Sequence, residues 1–392
     1  MAYVENMTIH DADSHVMEMP ETILEFFEAK YRLQFERFAA EKLRVSPELK
    51  AMAARHDDAD FCAEAQAQLM LRKNHLALGA FRKEDRSRTL DFLGFTSQLV
   101  FTTAALGNYG LEATADSNLA LAAARAHNRM NADFCAVDDR LLATGYVPLV
   151  DLEAAPEIAA QALRLGCKAL MIPSKCPPRH SPSHIHLDRL WSLAQEAGVP
   201  ILFHVGGEEK MSEAYFNNGL PRVKDFHGGE ENFTGLSFMS IPVAIWQTMA
   251  ALIFDGVLER HPNLKFGAIE LGAAWLPSWL QFMDSAWGAF RKGEARLQNL
   301  SLKPSEMAKR QFRVTPYAHE PTGWILANSS EDMLLFSSDF PHIEGGRNPV
   351  KRFSDNMPGV SSRSMQKFYR DNFIDLMGAG LAPSLRDHPS LR

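Results

Sequence analysis

The stretch LLATGYVPLVDLEAAPEIAAQALRLGCKALMIPS, residues 141–174, contains the repeating unit that decides the fold. It begins and ends with β-rich apolar runs, 141–149 and 168–174, which are typical of strands buried on both faces of a parallel sheet. Between them, 151–166 has apolar residues at helical spacing, an acidic start, and Gly166 where a helix would end. The stretch therefore predicts a strand, a crossover helix and a second, parallel strand.

The same alternation of β-rich runs and helical segments continues along the chain. The predicted strands are 7–13, 97–103, 141–149, 168–174, 200–206, 264–272, 312–317 and 333–340. Eight alternations predict a (β/α)8 TIM-like barrel, with the residues for chemistry at the carboxyl ends of the strands. A doubly wound open sheet is the competing architecture. Its nucleotide-binding versions are disfavoured, because neither GxGxxG nor GxxxxGK[ST] occurs in the sequence.

Two stretches interrupt the regular pattern. Residues 20–90 are charged and read as helical, and 207–240 are rich in Gly and Asn. The chain has 392 residues, of which 46% are hydrophobic, which suffices for one large core. We predict a single barrel domain over 1–392 that contains both stretches as insertions, which in barrels often serve as lids or oligomer contacts.

Charge and cysteine content narrow the expected partners. The net charge is -7, the pI is near 6.1, and no long Lys/Arg run occurs, which argues against nucleic acid or an anionic membrane as partner. The four cysteines form no CxxC pair, so the chain reads as reduced and cytoplasmic. No apolar run approaches the ~20 residues that span a bilayer. We expect a small-molecule substrate.

Several polar residues close the apolar strands. Asp13 and His15 are two positions apart at the end of the first strand and leave an extended segment on the same face. His204 ends the fifth strand, and Asp339 ends the eighth. A buried polar group needs a partner, and one divalent cation would serve all four side chains. Their mixed nitrogen and oxygen donors suit zinc, which we expect first, or manganese or iron.

These residues and their surroundings resemble the amidohydrolase superfamily, in the amidohydrolase-related branch that includes aminocarboxymuconate-semialdehyde decarboxylase and the resorcylate decarboxylases. The resemblance runs from about residue 7 to about 346, outside the insertions. Its matching stretches are DADSHVMEMP, HNRMNADFCAVDDRLLATGYVPLVDLEAAPEIAAQALRLGCKALMIPS, LDRLWSLAQEAGVPILFHVGG, RHPNLKFGAIELGAAWLPSWL and LLFSSDFPHIEGG. It implies a barrel of the metal-dependent hydrolase type that hydrolyses or decarboxylates, a dimer by the family's habit, and Asp339 as acid/base beside the metal.

The sequence departs from the family pattern at two positions. Asp13 stands first in what is often an H-x-H pair, and a carboxylate there favours harder metals such as Mn²⁺. Glu270 stands where the family commonly has a His before Gly, and a carboxylate is anionic unless burial raises its pKa. Glu270 would orient water, bind a second metal or shuttle a proton. A helix cap or salt bridge is its structural alternative.

Other polar and aromatic residues have different expected roles. His342, three residues after Asp339, is placed for substrate contact at the barrel mouth, and Glu18 reads as a cap of the helix that follows it. His184 and His186 form an H-x-H in a loop and read as surface residues. An aromatic series at helical spacing reads as core or subunit interface: Trp275, Trp279, Phe282 and Trp287.

The main prediction is a metal-dependent hydrolase of a carboxylic-acid derivative (ester, thioester or amide) or of an activated C–C bond. It would use a metal-bound hydroxide, Asp339 would manage the proton, and Glu270 and His342 would assist. The alternative keeps the metal site and decarboxylates an aromatic or unsaturated acid without oxidation. A second alternative is a metal-binding barrel without turnover.

Overall fold

The centre of the molecule is a parallel sheet of seven strands in sequence order. The computed structural model describes residues 2–114, 116–208, 211–222 and 234–386, and only the backbone of 108 and 109. The strands are β1 His10–Val16, β2 Ser97–Thr102, β3 Leu141–Tyr146, β4 Ala169–Met171, β5 Ile201–His204, β6 Phe266–Ile269 and β7 Phe312–Val314.

Helices connect and cover the strands, so the predicted alternation of parallel strands and helices is confirmed. The α-helices are α1 Ala29–Phe38, α2 Pro47–Ala54, α3 Ala59–Ala67, α4 Lys83–Leu93, α5 Ser117–Cys135, α6 Ala154–Arg164, α7 Asp188–Ala197, α8 Gly235–Phe238, α9 Ile241–Phe254, α10 Val257–Arg260, α11 Leu276–Phe290, α12 Ala295–Gln298, α13 Pro304–Gln311, α14 Thr322–Asn328, α15 Pro349–Asp355, α16 Ser362–Gln366, α17 Asn372–Met377 and α18 Pro383–Arg386. Shorter 3-10 helices are Thr22–Phe26, Arg55–Asp57, Asn74–Leu76, Ala104–Ala113, Ile185–Leu187, Glu213–Phe216 and Gly378–Gly380, and Lys367–Asp371 is a π-helix.

The crossover from β3 to β4 forms as the sequence predicts. Asp151 starts it, because its Oδ1 accepts hydrogen bonds from the backbone N–H groups of Glu153 (2.9 Å) and Ala154 (3.0 Å), which would otherwise be unpaired. Gly145 of β3 lets α6 approach closely, since a Cβ at that position would lie 2.7 Å from Cβ of Ala162. The helix therefore packs directly on the strand.

Segment 333–340, the predicted eighth strand, is described throughout but is not a regular strand. It still hydrogen-bonds to both edges of the sheet. Leu335 N donates to Val314 O of β7 (3.0 Å), and Ala12 N of β1 donates to Phe336 O (3.0 Å). Within the described ranges there are therefore seven regular strands, and one irregular segment joins the two outer strands.

A side chain interrupts the ladder in this segment. Ser338 N donates to Asp11 Oδ1 (2.8 Å) and Ser338 Oγ donates to Asp11 Oδ2 (2.6 Å), so a carboxylate takes the place of a backbone acceptor. The register of β1 against β2 also shifts between Asp11 and Ser14. The sequence predicted that the first strand ends at residue 13, but β1 continues to Val16.

The two insertions differ in how much of them is described. Residues 20–90 form α1 to α3 and most of α4, and contain a small apolar cluster of Phe61, Ala65 and Leu78. In 207–240, residues 209–210 and 223–233, with His227, lie outside the described residues. The described part holds the 3-10 helix Glu213–Phe216 and α8. The main hydrophobic cluster includes residues from Val4 to Leu385.

The segment from α8 to α9 is strongly apolar. By length and composition alone Gly235–Phe254 would be able to cross a membrane, with a mean hydropathy of 1.6 and 39% of the window buried. In the structure one face of α9 packs inward, with Ile245 and Met249 fully buried and Thr248 Oγ1 donating to Ser174 O (2.6 Å). These contacts are those of a core helix that covers the sheet.

The close approach at Gly145 predicts a stability effect. We expect Gly145→Ala to lower the free energy of unfolding by about 1–3 kcal/mol, because the new methyl group forces α6 away from β3. Gly288→Ala in α11, where a Cβ meets no atom within 4 Å, is the matched control and should be neutral or stabilising. Urea unfolding followed by circular dichroism measures both. Equal stability of the two variants would contradict the packing argument.

Candidate metal centre

Three of the predicted metal ligands lie close together at the carboxyl ends of the strands. Asp13 and His15 of β1 and His204 of β5 are all buried. Asp13 Oδ1 lies 3.3 Å from His15 Nε2 and 3.4 Å from His204 Nε2. One carboxylate oxygen thus lies near two imidazole nitrogens, one from its own strand β1 and one from β5.

Backbone carbonyls fix the orientation of both imidazoles. His15 Nδ1 is 3.0 Å from Thr102 O, and His204 Nδ1 is 2.9 Å from Val205 O. Since a carbonyl only accepts, each Nδ1 carries the proton, and each neutral ring keeps its lone pair on Nε2. Both lone pairs point into the cluster, as they do in histidines that bind metals.

Glu270 follows β6 and completes this group. Its Oε2 lies 3.5 Å from His204 Nε2, and its backbone has a φ of 56°, in the left-handed region. Two hydrogen bonds hold that conformation: Glu270 N donates to Thr315 Oγ1 (2.8 Å) and Tyr317 Oη donates to Glu270 O (2.7 Å). Ligand atoms of Asp13, His15, His204 and Glu270 all lie within 4.8 Å of one another.

Asp339 approaches the cluster from the other side of His15. Its φ is 51°, and its N–H donates to Asp13 O (2.9 Å). Its Oδ1 lies 3.7 Å from His15 Nε2 and 2.9 Å from His342 Nδ1. The other ring nitrogen of His342 is 3.0 Å from Thr103 Oγ1. Asp13, His15 and His204 therefore lie in one cluster with Glu270, while Asp339 belongs to a second, adjoining group with His15 and His342.

Burial and mutual contacts shift the ionisation of the histidine and aspartate side chains. Burial lowers the pKa of His15 to about 4, and His342 contributes to this shift. Burial alone would raise the pKa of Asp13, but the two imidazoles of His15 and His204 beside it outweigh burial and hold that pKa well below its ordinary range. Asp13 is therefore a carboxylate and His15 a neutral base.

The pKa values of Glu270 and His342, by contrast, lie above their ordinary values. Burial raises the pKa of Glu270 well above its ordinary value, and Asp339 and Asp13 raise it further. Burial lowers the pKa of His342, but Asp339 outweighs burial and leaves the pKa above its ordinary value. Three carboxyl groups this close repel one another unless a proton or a cation lies between them.

The chemistry of the donors fits a divalent metal. His15 Nε2 and Asp13 Oδ2 are buried without a hydrogen-bond partner among the described residues. A buried unsatisfied polar atom costs about 1–3 kcal/mol, and more when it is charged. A cation within the cluster would supply the missing partner and offset the repulsion between the carboxylates. Imidazole nitrogen and carboxylate oxygen suit zinc, manganese or iron.

Two buried charged residues outside the cluster support it, and neither was predicted. Asp11 ties β1 to Ser338, as described above, and also accepts from Gln98 Nε2 (2.8 Å). Arg86 of α4 is fully buried and its Nη1 donates to His15 O (3.0 Å). An isolated Arg in a charged helix of the insertion carries no sequence signal that would predict this contact.

A cavity of about 510 Å³ opens above the cluster. Asp13, Glu270 and Asp339 form its polar side. An aromatic wall stands on another side, where the rings of Tyr317 and His319 stack at 5.5 Å with an interplanar angle of 8°. The ring of Phe238, from the second insertion, packs 5.3 Å from Tyr317. The cavity is thus shaped for a small molecule with a flat, apolar part.

Most of the remaining candidates lie away from this cavity. Glu18 is a cap, but of the segment after β2: its carboxylate accepts from Thr103 N (3.0 Å) and Ala105 N (2.6 Å). His184 and His186 lie in the surface loop at the start of the 3-10 helix Ile185–Leu187. The aromatic series splits, since Trp275 and Trp279 are buried and Trp287 is half-buried, whereas Phe282 is 74% exposed.

Comparison with known proteins places the chain among related folds. The amidohydrolase family model matches residues 12–372. No curated protein matches the sequence. Among solved structures, an amidohydrolase from Mycobacterium avium subsp. paratuberculosis K-10 superposes with a TM-score of 0.70 at 21% identity, over 96% of this chain and 100% of that one.

Two further structures of known activity have the same fold. The 5-carboxyvanillate decarboxylase from Novosphingobium aromaticivorans, with bound manganese and 3-methoxy-4-hydroxy-5-nitrobenzoic acid, gives a TM-score of 0.63 at 17% identity, over 94% of this chain and 97% of that one. A 2,6-dihydroxybenzoate decarboxylase in complex with 2,6-dihydroxybenzoate gives 0.59 at 18% identity, over 95% and 99%.

The buried carboxyl group of Glu18 predicts a pH effect on stability. Burial raises its pKa from 4.5 to about 7, so the folded protein binds a proton that the unfolded chain releases between these values. The wild type should therefore lose about 3 kcal/mol more than Glu18→Gln as the pH rises from 4.5 to 7. Unfolding in urea at several pH values with chelator present measures this, with exposed Glu21→Gln as control. Parallel curves for Glu18→Gln and wild type would contradict it.

Proposed function

Since the chain belongs to the amidohydrolase family, we propose that it is a metal-dependent enzyme that decarboxylates an aromatic or unsaturated carboxylic acid without oxidation. The observation that supports this most directly is the cavity of about 510 Å³, in which an aromatic wall of Phe238, Tyr317 and His319 faces the cluster of histidines and carboxylates. A flat acid would stack on the wall and direct its acidic group towards the cluster.

Asp13, His15, His204 and Asp339 would hold the metal in this proposal, and Glu270 lies within reach of it. Three carboxylates in one cluster favour a harder cation, so manganese is our first expectation in place of zinc. The decarboxylase from Novosphingobium aromaticivorans was solved with manganese, which agrees with this choice. A bound divalent cation supplies Lewis acidity towards the oxygen atoms of the substrate.

Side chains of the protein would carry out the proton transfer that follows cleavage of the carbon–carbon bond. The bond between the ring carbon and the carboxylate breaks, CO₂ leaves, and the electron pair stays on the ring carbon. That carbon then needs one proton, which Asp339 delivers from its carboxyl group. His342 Nδ1, 2.9 Å from Asp339 Oδ1, replaces the proton, and Thr103 holds the other side of the His342 ring.

The raised pKa of Glu270 makes decarboxylation compatible with a carboxyl group at this position. From the sequence, a carboxylate in place of the family's His puts decarboxylation by the family's route in doubt, because a carboxylate is anionic unless burial raises its pKa. In the structure burial favours its neutral form, while a cation would favour its anionic form. Glu270 therefore serves either as a neutral donor to the substrate or as a further oxygen ligand, and both roles are compatible with decarboxylation.

Hydrolysis is the second candidate, and the Asp339–His342 pair favours it. A carboxylate oxygen 2.9 Å from an imidazole nitrogen is an arrangement that can take a proton from water as well as give one to carbon. The metal-binding residues would be the same. What separates the two reactions is whether water enters the product.

Segment 333–340 would take the eighth place of a (β/α)8 barrel in this proposal, within one domain over 1–392. The exposed rings of Phe282 and Phe290 on α11 lie outside the cavity. They are consistent with the predicted dimer, which stays a prediction, as does the cytoplasmic location.

An activity assay tests the proposal. The manganese-loaded protein is incubated in H₂¹⁸O with 5-carboxyvanillate, 2,6-dihydroxybenzoate, and phenyl esters and amides of hydroxylated benzoic acids. We expect CO₂ release and a product without ¹⁸O. An acid product that contains ¹⁸O would support hydrolysis instead. A loaded protein that turns over no member of the panel would favour the metal-binding barrel without turnover.

Substitutions separate metal binding from proton transfer. Asp13→Asn should reduce the bound metal, measured by elemental analysis, because it removes the charge that faces both imidazoles. His342→Gln should keep the metal and lower the rate by about 10²–10⁴-fold, because the proton relay is lost. Asp332→Asn, far from the cluster in an ion pair with Lys367, is the control. Full activity of His342→Gln would remove the relay from the mechanism.

A further inference from the structure

A second cavity, of about 1050 Å³, lies beside the first. The first insertion lines one side of it, with residues from Leu49 to Leu76, and the segment that follows His342 lines the other. Ile343, Gly346 and Arg352 line both cavities, so the two meet along this segment. Together they offer far more room than a single-ring acid needs.

Three consecutive residues of the insertion line this second cavity, and each carries one buried polar atom that is unpaired among the described residues. Lys73 Nζ, Asn74 Oδ1 and His75 Nε2 are all buried and have no hydrogen-bond partner among the described residues. Asn74 also has a φ of 51°, a conformation that non-glycine residues adopt rarely. Unpaired polar atoms and local strain together are typical of binding sites rather than of packing.

The charges around this cavity do not balance. Lys73, Arg347 and Arg352 line it, and within the described ranges none of the three forms an ion pair. The carboxylate of Glu18 also lines it, but both of its oxygens already accept backbone hydrogen bonds. Asp339 and Glu344 lie close enough to act on Lys73, yet burial dominates and lowers the pKa of Lys73 to about 8. Among the described residues this ammonium group has no direct ion-pair partner, which is unfavourable for a largely buried charge.

The rest of the lining is apolar. Leu49, Met52, Leu71, Leu76 and Ile343 contribute side chains around the three cations. An occupant that satisfies both features has a hydrocarbon body and an anionic end. Inorganic ions alone would satisfy the cations but leave the apolar surface in contact with water.

We propose that the second cavity binds the far end of an elongated substrate, an apolar chain or ring system that ends in a carboxylate or phosphate held by Lys73 with Arg352. This inference rests on the proposed function, because it assigns the reacting end of the same molecule to the metal centre. It implies that single-ring acids are turned over with a higher KM than an elongated acid, since they leave the cations of the second cavity unpaired.

Affinities for a series of probes test the inference. The probes are alkyl hydroxamic acids of increasing chain length, whose hydroxamate binds divalent metals and whose other end is methyl, carboxylate or phosphonate. Calorimetry with the full-length, manganese-loaded protein should find a chain length at which an anionic end binds about tenfold or more tightly than the methyl end. The comparison of carboxylate with phosphonate identifies the anion.

Matched lysine variants assign the effect. Lys73→Met should abolish the preference for an anionic end and leave binding of the methyl-ended probes unchanged. Lys83→Met, which removes a lysine paired with Asp133 at 2.7 Å, should retain the preference. Equal affinity for all three ends at every chain length, or an unchanged preference in Lys73→Met, would overturn the inference.

Thermal unfolding in the presence of a chelator gives a second readout that does not need the metal. Lys73→Met should raise Tm, because it removes a buried charge without a partner, and phosphate should raise Tm of the wild type more than that of the variant. A lower Tm for Lys73→Met would mean that Lys73 serves packing, and would overturn the inference. If the unfolding results hold but no hydroxamate binds, the metal centre fails and the anion site stands.

Discussion

Hydrogen bonds between β1 and segment 333–340 are the interaction on which the rest of the structure depends. His15 N donates to Phe340 O (2.7 Å), and Asp339 N donates to Asp13 O (2.9 Å). These bonds join β1 to segment 333–340 and place the carboxylate of Asp339 beside the imidazole of His15. Because all strands run in parallel, His204 and Glu270 arrive at the same rim from the far side of the sheet.

This arrangement concentrates charge in a buried place, and the fold stabilises it locally. Glu270 and Asp339 both adopt left-handed backbone conformations, which cost free energy, and each is held by backbone hydrogen bonds. Asp11 and Arg86 add further bonds from behind the cluster. The surrounding structure thus over-determines the positions of the side chains, and a cation that binds them would add stability that grows with the logarithm of its affinity.

The sequence predicted the elements whose cause is local. Apolar runs and helical periodicity predicted the seven regular strands of the described residues, and several polar residues at the ends of those runs lie close together in the structure. What it missed depends on contacts between distant residues. The irregular eighth segment follows from the bond between Ser338 and Asp11, and the cap made by Glu18 serves Thr103 rather than its own helix.

Buried polar side chains show the same limit. Asn131 of α5, in an amphipathic pattern where polar residues normally face water, is fully buried, and its amide donates to Val100 O and Thr144 O (both 2.9 Å). Lys73 and Arg86 look like surface charges of a helical insertion. Only the position of the insertion against the sheet shows that Arg86 is fully buried and that Lys73 Nζ is shielded from solvent, and sequence periodicity contains no information on that position.

The attachment of the insertion links the two cavities mechanically. Asn74 N donates to Pro341 O (2.8 Å), so the segment that carries Lys73 is bonded to the residue directly before His342. His342 in turn contacts Asp339, which lies beside the metal-binding side chains. A molecule that orders Lys73 and Asn74 would therefore also restrain the Asp339–His342 pair, to which we assign the proton transfer. In this proposal the metal centre determines the reaction, and the insertion, through this one hydrogen bond, couples the choice of substrate to it.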